Sequence, residues 1–483
     1  MTVHRLNFPV MFSFGFGQLA EAIKNAGFNV FLLFYYNQVL GVSATLTSIA
    51  LAIALLFDAI SDPLVGSFSD KLRTRYGRRH PLILMAALPL GLSFYCLFNP
   101  PSMTSDWAHF IWLLGFAILV RAALTLYHVP HLALGAELAE DYHQRSTLYA
   151  MSTFFGFLGG ALFVPVSYTL FFPTTDAFNP ALLNKAAYEP WSLMAAGLMI
   201  FAIIVCVIGT RREIPRLVQR VDQDARQMMR LSALIQEFRE AFNNRSFRAI
   251  FFGMMLSTLV LSVEGVFNPF MGFHFWGLTT EQLRWIPLAQ LVGLFLSLSL
   301  LPMMTRWLDK KRTLIVSALL VILNINIPIV LSLSGVSWFP AQGSQSLLVV
   351  LILSGLVTAV LAPIIFATLN SMFADIADEH ELDTGFRREG VIFSARSFAV
   401  KATSSMGLVF GGTLLDLIAF PRGASMGSVP EDTVWLLGFI AGPATSVFTV
   451  FGVLMYLGYR IDERRHQEIK RQLKERLGME GLP

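Results

Sequence analysis

Long apolar stretches alternate with short polar segments along almost the whole chain. A helix of about 20 apolar residues crosses a hydrocarbon core of roughly 30 Å. The apolar stretches have this length and predict an all-α membrane protein with twelve transmembrane helices, numbered here as spans 1 to 12: 11–38, 44–68, 82–99, 108–136, 150–172, 192–209, 248–272, 283–304, 313–333, 346–373, 391–418 and 434–459.

The composition also indicates lipid as the solvent. Of the 483 residues, 55% are hydrophobic and only 14% are charged, whereas soluble domains carry roughly 25% charged residues. The net charge of +4 gives no indication of nucleic-acid binding, and no glycine-rich nucleotide loop or HExxH motif indicates an enzyme. Two cysteines without ligand spacing predict neither a disulfide framework nor a metal site, and we expect no cofactor.

Basic residues collect in alternate connecting segments. They are dense in one set, which includes 71–79 and 211–248. The segments on the other face contain only Lys185, Arg284 and Arg422. Because positively charged loops stay in the cytoplasm, both termini are predicted to be cytoplasmic, as an even number of spans requires.

One long polar segment divides the spans into six and six. An apolar stripe in this segment predicts an amphipathic helix along the cytoplasmic face, formed by Leu231, Leu234, Ile235, Phe238 and Phe242. The predicted divisions are a six-helix bundle, a cytoplasmic linker, a second six-helix bundle and a cytoplasmic tail, at 1–210, 211–246, 247–460 and 461–483. Two pseudo-symmetric bundles joined in this way resemble the major facilitator superfamily, whose members hold substrate near the midplane.

Eight ionisable side chains fall inside the predicted spans: Glu21, Lys24, Asp58, Asp62, Arg121, Glu264, Arg396 and Lys401. Facing lipid at the bilayer centre, each would cost roughly 2.5–3.5 kcal/mol on insertion scales. We therefore expect them to face a wet cavity or one another, although a position near a span end would also explain Arg396.

Asp58 and Asp62 lie four residues apart in span 2, so their carboxylates share one helix face. Two like charges at this spacing favour cation binding, or retention of a proton by one carboxyl group. Pro63 disrupts the hydrogen bond to the carbonyl of Ala59, which frees an oxygen as a candidate cation ligand. A plain proline kink would give the same sequence.

Polar residues also share a face of span 1. Glu21, Lys24 and Asn25 lie beside Phe28 at helical spacing. An aromatic ring beside polar groups suits a polyhydroxyl ligand, and it equally suits an internal salt bridge. We expect the three polar residues to contact substrate, together with Glu264 of span 7.

In span 4, Arg121 and His128 lie two turns apart on one side, with Tyr127 adjacent. His131 follows His128 by one turn, a spacing that is compatible with metal binding. No further histidine or cysteine joins the pair, so we expect no metal. Arg121 and Tyr127 are predicted to contact substrate.

Two motifs carry a family resemblance. DAISDPLVG at 58–66, followed by SDKLRTRYGRRHP at 69–81, resembles the span-2 signature of the glycoside–pentoside–hexuronide:cation symporters. ADIADEHELDTGFRREG at 374–390 and FSARSFAVK at 393–401 are similar to that family's link between spans 10 and 11. The resemblance covers essentially the whole chain, and it implies cation-coupled symport of a sugar, glycoside or related small polar solute by alternating access.

The resemblance also implies roles for individual residues. Asp58 and Asp62 correspond to the cation site, Lys401 to a lysine near it, and Glu21 to a sugar-binding acid. In the span-4 motif, HVPHLALGAEL, His128 replaces an acid of the family. Because imidazole titrates near neutral pH and Na⁺ prefers anionic oxygen ligands, this departure favours H⁺ over Na⁺ as the coupling ion.

The segment after span 2 is similar to the superfamily's cytoplasmic gate motif. We expect its charged residues to pair with those of the other half, which gives a predicted gate of Asp70, Arg78 and Arg79 against Asp375, Asp378 and Arg388. Surface ion pairs are individually weak, which suits a gate that must open.

Two other functions are compatible with the same spans. The chain could carry an amphiphile such as a lysolipid, for which a lateral opening lined by phenylalanine would be evidence. It could also be a membrane sensor that transports nothing. The family resemblance further implies a monomer in a bacterial inner membrane.

Overall fold

The computed structural model describes residues 6–139, 142–219, 242–384 and 389–476. These residues are helical, apart from turns, loops and one isolated bridge between Thr175 and Phe178. Most of the predicted amphipathic stripe of the linker lies outside the described residues, and so does Arg388. Phe242 is described, and its ring packs edge-on against Phe247 and Phe251 at the start of the second half.

The α-helices described before residue 220 are α1 Phe8–Gly17, α2 Leu19–Ala26, α3 Ala44–Lys71, α4 His80–Phe98, α5 Asp106–Leu138, α6 Tyr142–Leu170, α7 Tyr188–Thr210 and α8 Ile214–Gln219. Turns of π-helix at Gly27–Leu32 and Tyr35–Val39 extend α2. Local sequence sets several starts. Ser43 caps α3 by accepting a hydrogen bond from Leu46 N at 3.3 Å, as a serine before an apolar run is expected to do.

After residue 241 the α-helices are α9 Arg245–Phe270, α10 Thr280–Leu283, α11 Trp285–Leu333, α12 Gln345–Thr384, α13 Glu389–Leu417, α14 Glu431–Phe439, α15 Thr445–Tyr456 and α16 Glu463–Arg476. A π-helical turn at Met271–Phe275 follows α9, and another at Ile440–Ala444 joins α14 to α15.

Ten helical stretches in the described residues are long and apolar enough to cross a membrane. One of them, Thr280–Leu333, has 54 residues and bends at Asp309, whose φ is 63°. We interpret it as the predicted spans 8 and 9, with the basic run at 310–312 in the turn. The helical segments between Phe8 and Val39 are individually too short to count and correspond to span 1. The prediction of an all-α membrane protein is confirmed, whereas the number of twelve stays a prediction.

Large apolar side chains cover the outer faces of the helices. On α4, for example, Leu84, Met85, Leu88 and Leu92 are 52–67% exposed and lie on one side of the helix. A soluble protein does not expose continuous apolar surface of this extent. Together with the ten membrane-length helices, this surface confirms an integral membrane protein.

The chain forms two compact units. Unit 1 comprises 1–226, 265–288 and 408–434, and unit 2 comprises 227–264, 289–407 and 435–483. Buried aromatic side chains fill unit 1, with the Trp191 ring 4.6 Å from that of Phe31 and 4.8 Å from that of Phe98. Unit 2 has its own apolar core around Phe247, Phe373 and Tyr456. The predicted division at 210 and 246 separates spans by topology rather than by contacts, and it stays a prediction.

Candidate functional site

Two acids of α3 face two polar residues of α5 in unit 1. Arg121 donates a hydrogen bond to Asp58 Oδ2, and Thr125 donates one to Asp62 Oδ1 at 3.0 Å. Each acid lies 63 positions before its partner, so the two helices run in the same direction with one rung per turn. The i, i+4 spacing on both helices produces this ladder.

The upper rung is a buried ion pair. The side chains of Asp58 and Arg121 are only 15% and 9% exposed. The other carboxylate oxygen of Asp58, Oδ1, and the Nε of Arg121 are buried and receive or make no hydrogen bond among the described residues. Buried charges of this kind are costly unless fully paired, so the pair is incompletely satisfied. An oxygen in this position can accept a proton or contact a cation.

Glu21 joins α2 to α5 and α6. Its Oε2 lies 3.1 Å from His128 Nδ1 and accepts a hydrogen bond from Gln18 Nε2. Gln18 in turn accepts a hydrogen bond from the Ser152 hydroxyl at 3.1 Å. The predicted substrate-binding acid and the histidine that replaces a family acid are therefore direct neighbours.

Phe28 is flanked by two cations. The Lys24 ammonium lies 4.6 Å from the centre of its ring, and the Arg121 guanidinium carbon lies 5.3 Å from it. Both distances are within the range of cation–π attraction. Lys24 is only 4% exposed and also donates to Asn25 Oδ1 at 3.3 Å. Phe28 thus connects the polar group of α2 to the ladder between α3 and α5.

Two residues of α5 lie apart from this group. Tyr127 is fully buried, and a side-chain carbon added at Gly17 would meet its hydroxyl at 2.4 Å. His131 is also buried and contacts the Phe14 carbonyl through Nε2 at 2.9 Å. His128 and His131 therefore have different neighbours. Tyr127 packs against other helices of unit 1, and its predicted contact with substrate stays a prediction.

The remaining predicted site residues lie in unit 2. Glu264 is on α9, and it forms no ion pair with any described residue. Lys401 is on α13, where its carbonyl accepts a hydrogen bond from Ser405 at 2.9 Å. The guanidinium of Arg396 lies 5.7 Å from the Phe373 ring. The predicted roles of Glu264 and Lys401 stay predictions.

The charges of the predicted gate have partners within their own unit. In unit 1, Glu137 binds both arginines after α3, at 2.9 Å from Arg78 and 2.8 Å from Arg79. Arg79 also donates to Ser69 at 2.6 Å and pairs with Asp70. Sequence reasoning missed Glu137, although it is the second-to-last residue of the quoted span-4 motif. The predicted pairing between the two halves stays a prediction.

In unit 2, Asp375 accepts hydrogen bonds from Lys310 at 2.6 Å and from the Tyr459 hydroxyl at 3.0 Å. His466 lies 3.2 Å from Asp378 and 3.3 Å from Asp375. Asp375 is almost fully buried. None of these three partners was predicted from the sequence, since each comes from a different segment of the chain.

Asp416 closes the opposite end of unit 1. Its carboxylate accepts hydrogen bonds from the Ser43 hydroxyl at 2.6 Å, from Thr45 N at 2.8 Å and from Ala44 N at 3.2 Å. The acid of α13 therefore caps the first turn of α3 from more than 370 residues away. Arg422 donates to the Gly41 carbonyl beside it at 2.6 Å. Sequence reasoning missed this contact too.

Comparisons with known proteins identify the family of the chain. The MFS/sugar transport protein family matches residues 13–463. A Synechocystis protein, "Uncharacterized symporter sll1374", is 24% identical over 99% of this chain and 98% of its own length. The "Glucuronide carrier protein homolog" of Escherichia coli is 24% identical over 93% of this chain and 88% of its own.

A solved structure shares the fold. A bacterial homologue of the human lysosomal transporter Spinster, in an inward-facing and unoccupied conformation, has a TM-score of 0.60 at 14% identity and covers 95% of this chain and 97% of its own. The family match over 13–463 identifies the chain as a membrane transporter rather than an enzyme. The chain belongs to the MFS/sugar transport protein family, and the predicted resemblance to the glycoside–pentoside–hexuronide:cation symporters is confirmed.

Proposed function

We propose that this protein is a cation-coupled symporter of a sugar or glycoside, with H⁺ as the coupling ion. The observation that carries the proposal is the buried pair of Asp58 and Arg121, in which one carboxylate oxygen has no hydrogen-bond partner among the described residues. A proton on Asp58 neutralises the carboxylate and weakens its attraction for Arg121. The proton therefore competes directly with an internal counter-ion.

Release of Arg121 couples the ion to the substrate. The guanidinium already lies against Phe28, whose ring also holds Lys24. A guanidinium freed from Asp58 can donate hydrogen bonds to the hydroxyl oxygens of a sugar. Glu21 and Asn25 can accept hydrogen bonds from the hydroxyl groups of the same sugar. Since either ligand alone leaves a buried charge uncompensated, binding of both is favoured over binding of one.

His128 supports H⁺ over Na⁺. It contributes an imidazole next to Glu21 where the family has an acid, so one anionic oxygen ligand is missing from any Na⁺ site. Asp62 is hydrogen-bonded by Thr125 on α5 and supplies a second carboxylate one turn from Asp58. The family resemblance adds Lys401, on α13, to the proposed coupling residues.

We further propose that the protein lies in a bacterial inner membrane with both termini in the cytoplasm. The termini lie on the same side of the membrane as the basic connecting segments, and such segments stay in the cytoplasm. In this orientation the charges around Glu137 and those around Asp375 lie on the cytoplasmic side, and Asp416 lies on the periplasmic side. Both halves of the major facilitator fold lie on one chain, so a monomer is sufficient for transport.

The test is uptake into proteoliposomes that contain a pH-sensitive dye. A panel of glycosides, pentosides, hexuronides and a lysophosphatidylcholine is added outside, with and without Na⁺. We expect a glycoside or sugar to carry H⁺ inward, so that the lumen acidifies. Na⁺-dependent uptake without a pH change would contradict H⁺ coupling, and uptake of the lysophosphatidylcholine alone would favour an amphiphile carrier.

Asp58→Asn makes the test specific. The variant should fold and lose accumulation of substrate, since it cannot exchange a proton at the pair. Asp176→Asn, at an exposed loop position, is the matched control and should accumulate substrate normally. Full active uptake by Asp58→Asn would refute the proposed coupling site.

A further inference from the structure

The C-terminal helix α16 returns to the end of α12. His466 Nε2 lies 3.2 Å from Asp378 Oδ2 and 3.3 Å from Asp375 Oδ1. The two acids are one turn apart on α12, so a single imidazole reaches both. Arg465 extends the contact to Glu379 at 3.8 Å. We call the group of His466, Asp375 and Asp378 the tail contact.

The helix is also anchored by apolar packing. Ile469 is fully buried and belongs to the apolar core of unit 2, and Leu473 packs against that core. Gln467 and Lys470 of α16 are exposed. The tail helix therefore docks through one face, which carries the His466 imidazole and the apolar side chains of Ile469 and Leu473. The rest of the helix remains in solvent.

Asp375 is held from the membrane side as well. Lys310 reaches both of its oxygens, at 2.8 Å and 2.6 Å, and Tyr459 donates to it at 3.0 Å. The buried acid stays in place whether or not the tail is docked, and only the contribution of His466 is variable.

We infer that the tail contact is a pH-sensitive latch that fastens α16 to α12. A protonated imidazole between two carboxylates is a charge-assisted bridge, whereas a neutral imidazole offers an ordinary hydrogen bond to one of them. Imidazoles change charge between roughly pH 5 and pH 8. The latch is therefore strongest at low pH, and it weakens as the pH rises through that range.

Other charged groups surround His466 but do not replace it. Those of the elements that pack against it or flank it are Asp375, Asp378, Glu379, His380 and Glu381 on α12, Asp309 and Lys310 in the bend of α11, Tyr459 before α16, and Asp462, Arg464, Arg465 and Lys470 along the tail. Carboxylates and the arginines and lysines keep their charge between about pH 6 and pH 8. Among these groups, His466 is the imidazole that contacts both Asp375 and Asp378.

The experiment follows the mobility of the tail in the purified full-length protein. A nitroxide is attached at Lys470→Cys, an exposed position, with Cys96 and Cys206 replaced by alanine. We expect the ratio of mobile to immobile label to rise about fivefold between about pH 6 and pH 8, the range in which imidazoles lose their charge. His466→Gln keeps a donor without a charge, so its label should be equally mobile at both pH values. Gln467→Ala, next to it on the exposed face, should respond like the parent.

An unchanged label ratio in the parent, or a pH response that survives in His466→Gln, would overturn the latch. Under the proposed H⁺ symport, inward proton flow would tighten the latch, and this consequence alone rests on the proposed function. The label measurement needs no substrate and no transport. A failed uptake assay with an intact pH response would therefore refute the symport and leave the latch standing.

Discussion

Removal of Arg121 tests the central pair most directly. Arg121→Leu leaves Asp58 buried without its cation, and loss of one partner from a buried pair costs about 3–5 kcal/mol. The side chains are only 15% and 9% exposed, so this estimate applies rather than that for surface pairs. With an unfolding entropy of roughly 2.1 cal/mol/K per residue, the expected fall in Tm is about 3–5 °C for the whole chain.

The double variant, Asp58→Asn with Arg121→Leu, should lose less than Arg121→Leu alone, because no unpaired charge remains. Purified proteins in one detergent are compared by thermal unfolding. The matched control is the ion pair of Arg422 with Asp106, which is 3.6 Å long and about half exposed on both sides. Its loss should cost about 0–1 kcal/mol. Equal losses from both pairs, or strictly additive single variants at Asp58 and Arg121, would refute the argument from burial.

Three further changes give distinct readouts. Thr125→Val removes a hydrogen bond to a charged group, of about 1.5–3 kcal/mol, and should shift the half-saturating cation concentration by at least about tenfold in uptake assays. Asp416→Ala removes the cap of α3. A cysteine introduced by Thr47→Cys, at a buried position in that helix, reports on opening of the helix through its rate of maleimide labelling. Labelling should accelerate by about fivefold if the cap is worth ~1 kcal/mol. Glu137→Gln should lower Tm more than Asp70→Asn, because Glu137 is 16% exposed and Asp70 is 63% exposed although both bind the same arginine; equal shifts would contradict this.

The fold was largely predictable because the bilayer limits the structures that can cross it. Apolar length alone gave the spans, and charge gave the turns between them. The stretch Thr280–Leu333 shows both signals at once, since its bend at Asp309 coincides with the basic residues that follow. The π-helical turns that extend α2 were not predictable, because no local residue type marks them.

The candidate site was predictable in its residues and not in its pairing. Helical spacing put Asp58 and Asp62 on one face, and both do face α5. The sequence predicts that Arg121 contacts substrate and that Lys401 lies near the acids, and both stay predictions. The particular pairing of Arg121 with Asp58 in unit 1 was not predicted. Which residue of α5 pairs with each acid depends on the rotation and register of α3 against α5. Packing along both helices sets these, rather than the polar residues.

The contacts that sequence reasoning missed share one property. Glu137, Asp416 and His466 each bind groups that are between 58 and 373 residues away. A single sequence gives no signal for such pairs, because each residue alone resembles an ordinary solvated charge near the end of a helix. Only the folded chain shows that these acids and bases are partners.

Under the proposed mechanism, the arrangement around Phe28 would let an ion and a neutral sugar depend on each other without touching. A ring shared by two cations attracts each of them weakly, by about 0.5–2 kcal/mol, so Arg121 can exchange Asp58 for another partner at little cost while staying in place. The strong term is the ion pair, and protonation of Asp58 removes it. What remains is a buried guanidinium that lacks an acceptor, and a hydroxyl-rich ligand supplies acceptors. Coupling then follows from the cost of an unpaired buried charge rather than from a shared ligand.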